Sequence, residues 1–105
     1  MPVDTTIKSL GIDLLRELRA ISHFCDSTAD GKYALVPSDR RHWYEQGGRM
    51  HLLVATGCVR LLSSSYCETV KQWRHALRME QFGRQVLMRI HGMGLNLDLE
   101  ESCDA

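Results

Sequence analysis

The strongest constraint on the fold of this sequence lies near its start, where Ile7, Leu10, Leu14, Leu18, Ile21 and Cys25 recur at spacings of three and four. That period matches the turn of an α-helix and puts all six on one side, which has to be buried against another element. Asp4 or Thr5 can cap the first turn, and Gly31 is suited to stopping the helix a little past the stripe. A first helix over 5–29 is predicted.

A chain of 105 residues that is 44% hydrophobic and 25% charged can bury one core and is too apolar to stay unfolded. One domain over 1–105 is therefore expected. No apolar run approaches the roughly 20 residues that span a bilayer, and the N-terminus lacks the basic and apolar regions of a secretory leader. The expected location is cytoplasmic, with no membrane partner. Cys25, Cys58, Cys67 and Cys103 form no Cys-x-x-Cys pair, so reduced thiols are expected.

Beyond Pro37 the pattern favours two more helices. Ser38 can cap one over 39–62, along which Trp43, Gly47, Met50, Val54, Gly57 and Leu61 keep a helical period. Gly47 and Gly48 weaken its interior by about 1 kcal/mol each relative to alanine, which marks a hinge. A β-hairpin competes there: Met50–Ala55 and Cys58–Leu62 are rich in leucine and valine and are joined at Thr56-Gly57. The segment Ser65-Tyr66-Cys67-Glu68 fits a capping box for a third helix over 66–91, with Gly92 as its stop. Within that helix Tyr66, Val70, Trp73 and Leu77 form one stripe and Met79, Phe82, Val86 and Ile90 a second. The step from Leu77 to Met79 turns a helix by roughly 200°, so the stripes face opposite ways. The fold expected is an all-α bundle of three helices with a short acidic tail from about 94. Its alternative is α+β with a hairpin at 50–62.

Two opposed stripes, and a nearly unbroken apolar stretch from Leu52 to Leu62, exceed what one small bundle covers. A homo-oligomer is expected, with Phe82, Val86 and Ile90 at the contact.

The net charge of zero hides an uneven distribution. Residues 31–91 carry ten basic groups against four acids, and the segment from Gly92 adds Asp98, Glu100, Glu101 and Asp104 with no base. Ten of the thirteen basic residues are arginine, whose planar fork suits carboxylate or phosphate. Helical spacing would align Lys71, Arg74, Arg78 and Arg89 on one polar stripe of the third helix. Arg40 and Arg41, beside Trp43, make a second basic and aromatic cluster of the kind found at interface hot spots.

The five histidines and four cysteines lack the short paired spacings of zinc sites, so no metal is expected. Cys67, in the first turn of the third helix, could be a reactive thiol, but packing beside Tyr66 and Val70 outweighs that role. No phosphate loop, nucleophile elbow or His-Glu-x-x-His helix is present. The expected function is that of a small non-enzymatic binding protein, a regulator, adaptor or inhibitor, whose partner is a protein with an acidic surface. No cofactor is expected. The alternative is a DNA- or RNA-binding regulator, since the step from Leu62 through three serines into Tyr66 loosely resembles a helix-turn-helix.

Overall fold

A computed structural model describes residues 2–27 and 33–94. The elements run α1 (Val3–Ser27), β1 (Ala34–Ser38), α2 (His51–Ala55), β2 (Val59–Cys67), β3 (Gln72–Met79) and α3 (Gln81–Gly92). The molecule is α+β rather than an all-α bundle. Its three strands form one antiparallel sheet in the order β1-β3-β2.

α1 carries the stripe that the sequence announces. Leu10, Leu14, Leu18, Ile21 and Cys25 are buried, and Ile7 packs against them. The helix begins at Val3, so Asp4 lies inside its first turn rather than capping it. Gly31 and the acidic tail from 95 lie outside the described residues. Gly11 breaks the run with φ 76° and ψ 172°, a conformation that residues with a Cβ avoid. The resulting bend explains two ion pairs on α3. Asp4 meets Arg89 at 3.0 Å and Asp26 meets Arg84 at 3.3 Å. A straight helix would hold Asp4 and Asp26 about 33 Å apart, against about 7.5 Å between their arginine partners, so the two arms of α1 have to fold around α3.

The second predicted helix, 39–62, is replaced by turns, a short helix and the start of a strand. Ser38 ends β1 instead of capping a helix, and its hydroxyl donates to the carbonyl of Arg40 at 2.8 Å. A side chain at Gly48 would run into the backbone carbonyls of His42 and Trp43, so the chain doubles back on itself there. Thr56-Gly57 is not a hairpin turn. Gly57, at φ 82°, closes α2: its N–H donates to Val54 at 3.0 Å while the Cys58 N–H donates to Leu53 at 3.1 Å. These two bonds are those of a Schellman motif.

The hairpin of the alternative fold exists, but one element later. β2 and β3 pair from Val59↔Met79 to Cys67↔Gln72, with a bulge between Leu61 and Ser63, around a turn over 68–71. Ser65 therefore sits in a strand opposite Arg74, which overturns the capping box. The predicted third helix, 66–91, is really the end of β2, a turn, β3 and most of α3. The step of two from Leu77 to Met79 is the period of a strand, in which His75, Leu77 and Met79 are all buried. Of the second stripe Met79 ends β3, and only Phe82, Val86 and Ile90 are helical; α3 turns them inward, with Val86 0% and Ile90 3% exposed and Phe82 packed on the same core. Phe82, Val86 and Ile90 thus cover the chain's own interior, and the case for self-association built on them falls away. The stop of α3 lies beyond Gly92, at Gly94, with φ 74°.

Candidate binding face

Strand alternation divides the sheet into two unlike surfaces. Ala34 and Val36 of β1, His75, Leu77 and Met79 of β3, and Val59 of β2 point toward α1 and α3 and are buried. Their neighbours, Leu35 and Pro37 of β1, Arg74 and Arg78 of β3, and Arg60, Ser63 and Ser65 of β2, point the other way and are exposed, with Ala76 half-buried among them. No strand residue on this bare face is acidic. Arg60 and Arg78 are direct cross-strand partners, and Arg74 stands four residues from Arg78, about 13 Å along β3. None of the three arginines engages a carboxylate among the described residues.

The far end of the covered face holds a second arginine-rich feature. Past the helices, the 39–50 segment lies over the sheet, with the Arg41 guanidinium 5.5 Å from the Trp73 ring centre. Tyr66 meets Trp73 edge-on at 5.4 Å, and Arg40 lies over Trp43 at 5.7 Å. These pairs set two arginines against three aromatic rings, of which Tyr66 stays exposed and Trp43 and Trp73 are half-buried.

A buried polar chain fixes the strands beneath both features. His75, with no exposure, bonds through Nε2 to Ser38 Oγ at 2.7 Å and through Nδ1 to Ser64 Oγ at 2.8 Å, tying β1 to β2 across β3. Because the Ser38 hydroxyl donates to Arg40, its oxygen accepts from Nε2–H, and Nδ1 accepts from Ser64. Burial holds the imidazole below its ordinary pKa, opposed by the Arg40 carbonyl and the charge of Glu45. The Tyr44 ring meets His75 edge-on at 5.2 Å, and its hydroxyl donates to Glu17 at 2.8 Å. Burial, followed by the Glu17 carboxylate, pushes the Tyr44 hydroxyl far up. His75 and Tyr44 are buried and their polar atoms all have partners, which suits a structural tie.

The expected site residues are thus divided. Arg74 and Arg78 share a face, though by strand rather than helix period. Lys71 sits in the hairpin turn with φ 54°. Arg89 lies on α3 in its pair with Asp4, on the other side of the sheet. Arg40, Arg41 and Trp43 belong to the aromatic cluster. Arg60 is the residue that the sequence reading misses, because its nearness to Arg78 is visible only once 59–79 is read as a hairpin in this register. The helix-turn-helix resemblance also ends here, as Leu62 to Trp73 is strand, turn and strand.

Two other features are less apt for a ligand. A groove beside α1, lined by Asp13, Glu17, Trp43 and Arg49, has both its acids engaged: Asp13 by Arg16 and Arg49, Glu17 by Tyr44. Among the described residues no three of histidine, cysteine, aspartate and glutamate converge as metal ligands would. No known family, curated protein or solved structure matches the chain.

Proposed function

We propose that the protein is a non-enzymatic binding protein whose bare sheet face receives an acidic surface of a partner protein. One observation carries this: Arg60, Arg74 and Arg78 stand on a rigid, solvent-facing sheet with no acid among the strand residues around them. Arginine makes charge-assisted, two-pronged bonds to carboxylates, and the sheet sets the spacing of the three backbone positions from which the forks extend. Nucleic acid suits the face less well. Single strands are held by aromatic side chains on which bases stack, and the strand residues of this face include none.

The test is the double variant Arg74→Glu with Arg78→Glu, used as bait in the native host with and without nuclease. A protein captured by wild type, insensitive to nuclease and lost by the variant is the expected result. Melting temperature should hold or rise, because Arg78→Glu sets a carboxylate opposite Arg60. Recovery that nuclease abolishes would move the function to nucleic acid, and capture undiminished by the double reversal would remove the face from consideration.

A further inference from the structure

The register of the hairpin places two positive charges at one point. Cross-strand partners in an antiparallel ladder have their Cα atoms about 4.5–5.5 Å apart and their side chains on the same side, and like charges so placed repel. Arg60 and Arg78 are such partners at the open end of the β2–β3 ladder, and both are exposed. Neither meets a carboxylate among the described residues. Next along the same face Ser63 stands opposite Ala76, with Leu35 of β1 on the other side of Ala76.

An occupant that offsets this repulsion needs about two negative charges on a compact group, with enough oxygens for two guanidinium planes. A carboxylate brings one charge and matches one fork. A phosphodiester of nucleic acid also brings one charge, repeated along a strand rather than doubled at a point. A phosphomonoester brings about −1.5 to −2 and three acceptor oxygens. We infer that the Arg60–Arg78 pair is the receptor for a phosphoserine or phosphothreonine on the protein partner. This rests on the bare face being the partner surface. Arg74, about 13 Å further along β3, then meets an acidic residue about four positions from the phosphorylated one, since an extended peptide advances at the same rate per residue.

The probes are three labelled peptides with a glutamate four positions beyond a central residue that is phosphoserine, glutamate or serine, titrated against the full chain by fluorescence anisotropy at physiological salt. The phosphoserine peptide should bind about tenfold tighter than its glutamate counterpart, the gain expected from additional charge-assisted bonds. Arg60→Gln and Arg78→Gln should each bring that ratio close to one, whereas Arg74→Gln should weaken both peptides alike. Equal affinity of wild type for the phosphoserine and glutamate peptides would overturn the phosphate receptor and leave the acidic-surface reading standing. Failure of all three peptides to bind would overturn both. An oligonucleotide of matched charge that binds more tightly than the phosphopeptide would overturn the proposal in favour of nucleic acid.

Discussion

His75 concentrates more of the fold's logic than any other single residue, because one imidazole joins all three strands and is shielded by Tyr44. Its folded-state pKa lies below the ordinary 6.5, so on acidification the unfolded chain takes up the proton first. The neutral ring therefore contributes stability that is present above about pH 6.5 and is lost as the pH falls. His75→Gln should be less stable than wild type at pH 7, and the gap should narrow between pH 7 and pH 5 in thermal melts. A gap that stays constant with pH would mean that His75 does not titrate across the transition. The cysteines differ just as sharply from one another. Backbone N–H of Val70 leads the groups that hold the Cys67 thiol below its usual range, with Thr69 and the charge of Arg74 adding to it, while burial pushes Cys58 up. Iodoacetamide at neutral pH should modify Cys67 well before Cys25 or Cys58, as mass spectrometry of the separated peptides would show.

At the level of elements, the glycines mark where the chain changes direction. Gly11→Ala forces a Cβ into a left-handed conformation and should cost about 1–2 kcal/mol, read as a melting temperature lower by several degrees. Lys71 holds a left-handed turn position without being glycine, so Lys71→Gly should stabilise the hairpin by up to about 1 kcal/mol. Ser65→Ala, which would cost a helix its cap, should instead change stability by less than about 0.5 kcal/mol, because the residue is exposed on a strand. The same elements show what can be read from the sequence. α1 is legible since its burial on one side writes a long 3.6-residue period, and the second stripe announces α3 for the same reason. β3 is misread because Trp73 and Leu77, four apart, satisfy a helix and a strand equally well; the decisive sign was the two-residue step to Met79. β2 alternates too weakly, with a bulge at Leu61/Ser63 and three serines hiding its period. Of the site, Arg74 and Arg78 are found as a pair on one face for a mistaken geometric reason, and Arg60 is missed because cross-strand neighbours leave no local spacing in the sequence.

For the whole molecule, the two layers carry different tasks: helices and buried strand residues hold the fold, and the bare face is the surface proposed to meet a partner. Substitution should obey that division. Ile90→Asp places a carboxylate in a site only 3% exposed and should destroy the cooperative melt rather than release a stable monomer from an oligomer. A folded Ile90→Asp protein of unchanged melting temperature and smaller size in light scattering would restore the self-association that the opposed stripes first suggested. The strand order has one more consequence, which concerns synthesis rather than the finished molecule. β1 finds its sheet neighbour only at 72–79, and α1 finds its chief helical neighbour only at 81–92. Translation at about 5–20 residues per second puts roughly 3–13 s between the completion of α1 and the appearance of Ile90. Throughout that interval α1 has only β1 and α2 to meet, so its apolar side is covered fully only once β3 and α3 have been made.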